Sequence, residues 1–388
     1  MLNIKTNIFF VFLVFISLFL GLFVNVVSLP VYLDEEVYIG CGVVYVSNFT
    51  SPFLCNFEHP PFGKYLIGFS YVFGFSRYFF VLLYVFSCYL LYLIVYRVSR
   101  CFYGALFSSV FLFLDVLFFN TYRFLLLDPI AIFFSLLSLY TALNGSIYIS
   151  AFFAGFAMAS KFSSAPTVVI SLASIYGRDR SCAKLFLYIA FAFLVYLATY
   201  IADFRLGLSA IVYHHIEMFR YMGWRHGFSP ALAVIGFLKL LIKVEVWRYG
   251  GDISIVLTKI DSFWSIYNAS TTVPIAGSYT VVGIGMGSIL WYIFIPMLLY
   301  NSYRAMVSRD IEVKIASLWA WLSLLNIVAG PIDWYYANAL PALYTSTSIA
   351  LLKISRYRFK QISSILISIQ IALSIATAMG VIPYKVAI

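Results

Sequence analysis

The sequence predicts an all-α polytopic membrane protein, and three observations support this fold class. Charged residues make up only 10% of the 388 residues, against about 25% in an ordinary soluble domain. Hydrophobic residues make up 63% of the chain, which is more apolar surface than a water-soluble fold of this size can hide. Apolar runs near the length of a bilayer crossing, about 20 residues, recur along the chain.

Eleven apolar segments are predicted to be transmembrane helices. The first is too long for a signal peptide and lacks a small-residue cleavage site, so we expect a retained helix. The fifth and sixth segments are short, and we expect them to be tilted or partly re-entrant. The predicted spans are 7–29, 77–97, 101–120, 127–143, 146–160, 162–176, 184–203, 281–301, 314–330, 336–352 and 361–382.

The basic residues predict the sidedness of the chain. If the N-terminus is cytoplasmic, the inner loops hold 13 of the 25 Lys and Arg residues, and the short outer segments hold 5. Cytoplasmic loops carry such an excess, which also accounts for much of the net charge of +10 without a nucleic-acid partner. Of the 15 acidic residues, 12 lie on or near the outer side, so we expect polar chemistry there. The alternative, that these acids are only solvated loop residues, stays open.

We expect residues 1–388 to form a single transmembrane domain without a separate soluble domain. Its outer face carries a first loop, 31–64, and a long loop, 204–280. The long loop is rich in Trp, Tyr, Gly and apolar residues, so it is expected to lie on the membrane or to cap a cavity. Within it, Ala231 to Trp247 is predicted to be an interfacial helix.

Short motifs with chemical potential lie at the predicted outer helix ends. They are YLDEEVYIG (32–40), HPPFGK (59–64), RFLLLD (123–128), ASK (159–161) and DWYYANALPALY (333–344). A positioned carboxylate can take the proton of an acceptor hydroxyl in a transition state. Arg and Lys can stabilise a leaving phosphate, and cations at membrane depth are costly enough to suggest a function.

Taken together, these motifs resemble the dolichyl-phosphate-mannose-dependent protein mannosyltransferases, which belong to the GT-C membrane glycosyltransferases. The resemblance covers Asp34 to Leu343. It implies a GT-C fold and inverting displacement of a sugar, with mannose favoured, from a polyprenyl or dolichyl phosphate onto an acceptor hydroxyl. It implies catalytic roles for Asp34, as base, and its neighbour Glu35.

For the other motif residues, the expected roles are donor binding and positioning. Arg123, Lys161 and Lys64 are the candidates for binding the donor phosphate. Glu58, His59 and Tyr335 are the candidates for positioning substrate. Each has a simpler alternative: the cations can snorkel to the interface, Glu58 and His59 can cap the turn, and Tyr335 can be an interface-belt aromatic.

The chain also departs from the family pattern. It has three adjacent acids where the family has two, so a register with Glu35 and Glu36 as the pair stays open, although we prefer Asp34 and Glu35. Phe62 replaces the common Leu of HPPLGK, and the luminal β-trefoil and WWSWP-like motifs are absent. The acceptor, whether protein, glycan or lipid, therefore stays open, and so does the identity of the sugar.

No cofactor is expected to be required, and a divalent metal is possible but not indicated. His214, His215 and Glu217 lack the HExxH spacing. Cys41 and Cys55 share the first outer loop and either form a disulfide or stay reduced. Two rival functions remain: a transporter or flippase of lipid-linked substrate, and a catalytically inactive family member.

Overall fold

A computed structural model describes residues 33–226, 244–249, 252–257, 269–275, 278–284, 288–325 and 333–378. The predicted first span, 7–29, lies outside these residues.

In chain order the helices are α1 Leu33–Asn48, α2 Phe62–Val72, α3 Ser76–Ser99, α4 Phe102–Phe113, α5 Val116–Arg123, α6 Leu127–Leu143, α7 Ile147–Ser160, α8 Ala165–Asp179, α9 Cys182–Ala198, α10 Leu208–His226, α11 Trp291–Val307, α12 Ile311–Leu324, α13 Leu340–Ile354 and α14 Phe359–Ala378.

Short 3₁₀ turns and two β-hairpins connect some of these helices. The 3₁₀ turns are Pro52–Leu54, Phe162–Ser164, Asp203–Leu206 and Asp333–Asn338. The strands are β1 Val244–Tyr249, β2 Asp252–Leu257, β3 Ala269–Ile275 and β4 Ser278–Ile284. β1 pairs antiparallel with β2, and β3 pairs antiparallel with β4.

The described residues divide into two compact units, which we treat separately. The first unit contains the residues up to Arg97 together with Thr121–Arg225. The second contains Val98–Asn120 and the residues from His226 onward.

In the first unit, small residues bring helices into close contact. Gly155 of α7 lies against the backbone of Ala192 in α9, where an added Cβ would lie 2.6 Å from the Ala192 carbonyl oxygen. Ser138 of α6 lies 3.0 Å, between hydroxyl oxygens, from Tyr188 of α9. Small residues and buried hydroxyl pairs of this kind are typical of helix packing in membranes.

In the second unit, a buried carboxylate joins helices that are far apart in sequence. Asp115 Oδ2 accepts hydrogen bonds from Trp291 Nε1 at 2.9 Å and from the Tyr344 hydroxyl at 2.5 Å. Its Oδ1 accepts from the Phe118 amide at 2.9 Å, which caps the start of α5. The predicted span 101–120 is therefore wrong as one continuous helix, because the chain breaks between α4 and α5 at this carboxylate.

The other predicted spans vary in accuracy. Span 127–143 coincides with α6, and span 77–97 lies within α3. The start of span 281–301 is wrong, because β4 ends at Ile284 and α11 begins only at Trp291. Gly283, Gly285 and Gly287 are spaced through this stretch, and glycine disfavours a helix interior.

The predicted long loop 204–280 contains regular structure that the sequence analysis did not predict. Its first part forms α10, and its later part contains the two hairpins. Of the predicted interfacial helix, residues 231–243 lie outside the described part of the chain, while Val244–Trp247 belong to β1. The alternation Val-Glu-Val-Trp has the period of two that favours a strand.

Helix length bears on the membrane prediction. Among the described residues, α3 alone is long and apolar enough to cross a bilayer by length and composition. Six further apolar helices have described lengths of 10–17 residues. The number of eleven crossings therefore stays a prediction.

Candidate active site

The three adjacent acids lie in the first turn of α1. Successive residues on a helix point in directions about 100° apart, so the three carboxylates cannot share one environment. Asp34 and Glu36 are exposed, whereas Glu35 is 1% exposed. Acids are also favoured at a helix N-terminus by the helix dipole. Asp34 and Glu36 are therefore accessible enough to act as a base toward a substrate, whereas Glu35 between them is buried.

Glu35 is bound by a guanidinium group that the sequence analysis did not single out. Arg77 donates from Nη1 to Glu35 Oε1 at 2.5 Å and from Nη2 to Oε2 at 3.2 Å. The Leu125 amide also donates to Glu35 Oε1, at 2.5 Å. Glu35 therefore joins α1 to α3 and to the segment before α6. These contacts fix the position of the first turn of α1, which also carries the exposed Asp34.

The HPPFGK turn is held from inside by Lys64. This residue is 0% exposed, and its ammonium donates to the backbone oxygen of Asn56, to Asn56 Oδ1 at 3.3 Å and to the backbone oxygen of His59 at 2.9 Å. Burial lowers the pKa of Lys64 to about 7, although the charges of Glu58 and Asp203 oppose this change. The ammonium thus fixes the turn that carries Glu58 and His59, both of which are half-buried.

The same turn packs against the helices that carry the other motifs. Phe62 stacks on Phe156 of α7, with ring centroids 4.1 Å apart. An added Cβ at Gly63 would lie 2.8 Å from the Leu127 side chain of α6. His59 makes an edge-on contact with Tyr38 of α1, at a centroid distance of 6.1 Å. The packing therefore gathers the HPPFGK, RFLLLD and acidic motifs in the first unit.

Lys161 and Asp128 form a second buried ion pair. Lys161 Nζ lies 2.7 Å from Asp128 Oδ2, and the two residues are 7% and 1% exposed. Lys161 was predicted to bind the donor phosphate, whereas its pairing with Asp128 was not predicted from the sequence. The side chain of Arg123, the third predicted cation, lies outside the described part of the structure.

A histidine and an aspartate anchor the first outer loop. Asp203 accepts from His214 Nδ1 at 2.7 Å, from the Ser51 hydroxyl and from the Phe53 amide at 3.1 Å. His214 Nε2 lies 3.1 Å from the Phe57 carbonyl oxygen. His214 therefore lies between the Asp203 carboxylate and the backbone of the first outer loop.

The charge of Asp203 is stabilised by the same contacts. Burial by itself raises the pKa of this carboxyl, but the hydrogen bonds from His214, Ser51 and the Phe53 amide lower it overall. The loop is also closed by a disulfide between Cys41 and Cys55, whose Cα atoms are 5.6 Å apart. This resolves the alternative that the sequence left open for these two cysteines.

The predicted residue Tyr335 belongs to the second unit, and its side chain lies outside the described part of the structure. In the first unit, the arrangement offers an exposed carboxylate on a rigidly held helix start, with cationic groups on neighbouring segments. Such an arrangement can accept a proton and stabilise an anion.

No protein-family model and no curated protein matches the chain. Solved structures match it at low identity. ArnT from Cupriavidus metallidurans bound to undecaprenyl phosphate is 16% identical with a TM-score of 0.57, over 94% of this chain and 64% of that chain. The Archaeoglobus fulgidus oligosaccharyltransferase in complex with Zn and sulfate is 14% identical with a TM-score of 0.51, over 92% of this chain and 49% of that chain.

The apo form of the archaeal enzyme gives a TM-score of 0.50 at 15% identity, over 89% of this chain and 50% of that chain. The S. cerevisiae protein O-mannosyltransferase Pmt1-Pmt2 complex bound to the sugar donor matches only 49% of this chain and 35% of that chain, at 18% identity and a TM-score of 0.30, and carries no argument. The chain therefore spans between half and two thirds of the length of its first structural neighbours. It shares the helical fold of these two proteins, which agrees with the predicted all-α fold.

Proposed function

We propose that this protein is a membrane glycosyltransferase that moves a sugar from a polyprenyl phosphate to an acceptor hydroxyl. One observation carries the proposal: the exposed Asp34 lies in the first turn of α1, beside Glu35, which is held by Arg77 and the Leu125 amide. The fold likeness to ArnT, a protein bound to undecaprenyl phosphate, supports a lipid-linked donor. From the distribution of basic residues, we place the N-terminus in the cytoplasm and the active site on the outer face.

The proposed reaction is a direct displacement. The acceptor oxygen attacks the anomeric carbon while the bond from that carbon to the phosphate oxygen breaks. The proton of the acceptor hydroxyl passes to Asp34, and the bonding electron pair leaves with the polyprenyl phosphate. A carboxylate base of this kind contributes about 10²–10⁴-fold to the rate.

The cations divide into different proposed roles. Arg123 is our first candidate for the donor phosphate, because a guanidinium can bind phosphate with two parallel hydrogen bonds. Lys161 is already bound to Asp128, and Lys64 to the turn carbonyls, so we assign them a supporting effect on the local potential. Glu58, His59 and Tyr335 are proposed to position the sugar or the acceptor. Mannose as the sugar and a protein hydroxyl as the acceptor follow from the sequence resemblance alone.

Sugar transfer by the purified full chain in detergent tests the proposal. Dolichyl-phosphate mannose, dolichyl-phosphate glucose and undecaprenyl-phosphate sugars would be offered separately, with Ser/Thr peptides and a lipid and glycoprotein extract as acceptors. The wild type would be compared with Asp34→Asn, Arg123→Ala and the matched exposed control Glu36→Gln. Transfer that is lost in the first two variants and kept in the control supports the assignment.

Other outcomes correct the proposal or overturn it. Transfer that survives Asp34→Asn but is lost in Glu36→Gln would move the base to Glu36. Absence of both transfer and donor binding would remove the glycosyltransferase assignment and favour a transporter. Donor binding without transfer would identify an inactive member of the fold.

A further inference from the structure

The second unit contains a cavity of about 870 Å³ that the proposed reaction does not use. It lies where the α3–α4 connection meets the end of α13 and the start of α14. Its lining includes four basic residues, Arg100, Lys353, Arg356 and Lys360, and one acidic residue, Glu312. A cavity of this volume is in the range that holds small ligands, about 300–1,000 Å³.

The basic residues fall into two groups. Lys353 lies 2.7 Å from Glu312 and 3.1 Å from Asp310, so its charge is compensated within the protein. Arg100, Arg356 and Lys360 are exposed, and no ion pair joins them to a carboxylate within the described residues. These three cations, to which no carboxylate is bound within the described residues, give the cavity lining a positive potential that favours an anionic ligand.

Aromatic and apolar side chains complete the cavity. Lys360 Nζ lies over the ring of Tyr103, 5.2 Å from its centroid. Ile349, Leu352 and the buried Phe359 add an apolar lining beside the cationic residues. A free inorganic anion would leave this apolar surface unused, whereas an amphiphile with an anionic head would contact both parts.

The backbone at Arg100 gives a further indication. Its φ is +53°, a left-handed conformation that glycine adopts most easily and that other residues adopt at a cost. A residue in this conformation commonly ends a helix, and here it ends α3 with Arg100 in the cavity lining.

The predicted location of the cavity agrees with a lipid ligand. Arg100, Arg356 and Lys360 belong to loops that the charge distribution assigns to the cytoplasmic side. The cytoplasmic leaflet is rich in anionic lipids, and basic pockets between transmembrane helices bind their head groups. We propose that this cavity binds the phosphate of an anionic phospholipid, at a site separate from the proposed active site.

Lipid binding by the purified full chain in a neutral detergent tests this inference independently of sugar transfer. Short-chain phosphatidylglycerol and zwitterionic phosphatidylcholine would be titrated while thermal unfolding and native mass spectra are recorded. Inorganic phosphate and glycerol 3-phosphate would form separate arms. The test variants are Arg100→Gly and the double variant Arg356→Gln with Lys360→Gln. The matched controls are Arg358→Gln and Lys314→Gln, which change exposed basic residues outside the cavity lining.

We expect phosphatidylglycerol to bind and to stabilise the protein, and each test variant to weaken that binding about tenfold through lost charge-assisted contacts. Arg100→Gly should keep the unfolding temperature of the lipid-free protein, because glycine accepts the positive φ. If inorganic phosphate stabilises the protein as much as phosphatidylglycerol does, the occupant is a free phosphate rather than a lipid. Equal binding of both lipids, equal losses in the controls, or no binding at all would overturn the proposal.

Discussion

The carboxylate of Glu35 receives both arms of the Arg77 guanidinium, at 2.5 and 3.2 Å, although the two residues are 42 positions apart. Both side chains are buried, at 1% and 9% exposure. A buried pair of this kind is costly to break from one side, because the remaining partner is left as an uncompensated charge. The pair therefore fixes the start of α1, from which the neighbouring Asp34 extends.

Substitutions at the two adjacent acids should have different effects. We expect Glu35→Gln to lower the free energy of unfolding by about 3–5 kcal/mol, since the buried Arg77 then loses the carboxylate that binds both arms of its guanidinium. Asp34→Asn should leave unfolding almost unchanged and reduce sugar transfer by about 10²–10⁴-fold. Thermal unfolding and rates of sugar transfer, measured on the same preparations of each variant, check the expected loss of stability and the expected loss of activity. Equal stability losses at Asp34 and Glu35 would contradict the division of roles.

The pair of Lys161 and Asp128 can be tested with a double-mutant cycle. Lys161→Met should destabilise the protein by about 3–5 kcal/mol, because the buried Asp128 carboxylate then loses the ammonium bound to it. Adding Asp128→Asn should recover much of that loss. Unfolding measurements on both single variants and the double variant give the coupling. Additive losses would show that the two side chains act separately.

The disulfide between Cys41 and Cys55 should contribute measurably to stability. A closed loop of about this length, 14 residues in sequence separation, is worth about 3 kcal/mol in the chain-entropy model. We expect the variant with both cysteines changed to serine to unfold at a lower temperature and to lose its response to reductant. A wild-type protein whose unfolding is insensitive to reductant, with both thiols open to alkylation, would speak against the bridge.

Lys64 predicts a pH dependence of stability. The pKa of this group falls from its ordinary 10.5 to about 7 in the folded protein. Between these values the unfolded chain binds more protons than the folded chain, so the free energy of unfolding should rise as pH increases from about 7 to 10.5. Lys64→Met should remove this slope, which unfolding curves across that pH range would detect. The same slope in the variant would assign it to another group.

The pair of Asp203 and His214 predicts a dependence in the acidic range. Because the folded state lowers the pKa of Asp203, its stabilising contribution is complete above the ordinary value of 3.8 and is lost as pH falls through the lowered value. Asp203→Asn should cost about 3–5 kcal/mol of unfolding free energy at neutral pH. The control Glu217→Gln removes an exposed pair with Arg220 and should change stability little. Equal losses of unfolding free energy in Asp203→Asn and Glu217→Gln would contradict the role of Asp203 in holding the first outer loop.

Hydropathy located many of the helices because helix formation in an apolar run depends on local composition. The bounds of α6 are an example, since they coincide with the predicted segment 127–143. Hydropathy did not locate the break at Asp115, because the flanking residues are apolar on both sides. The carboxylate acts there through Trp291 and Tyr344, more than 170 positions away. Partners so distant in sequence leave no pattern around residue 115 from which the break could be predicted.

The candidate site was predictable at the level of residue type but not of pairing. The acids, the HPPFGK turn and Lys161 were all found from their motifs. Arg77 was counted only as an outer basic residue, although it proves to be the partner of Glu35. Its position directly before an apolar run equally fits a snorkelling side chain, so three-dimensional proximity was needed to decide.

The contact between Gly42 of α1 and Gly68 of α2 limits how the first unit can move. The two backbones touch so closely that a Cβ added to either glycine would overlap the backbone of the other helix. The acidic helix and the helix after the HPPFGK turn therefore cannot slide past each other without separating. If the site widens to admit the proposed lipid-linked donor, both helices have to move together as one rigid body. Bending is then confined to their ends, such as Gly74 at φ +73°.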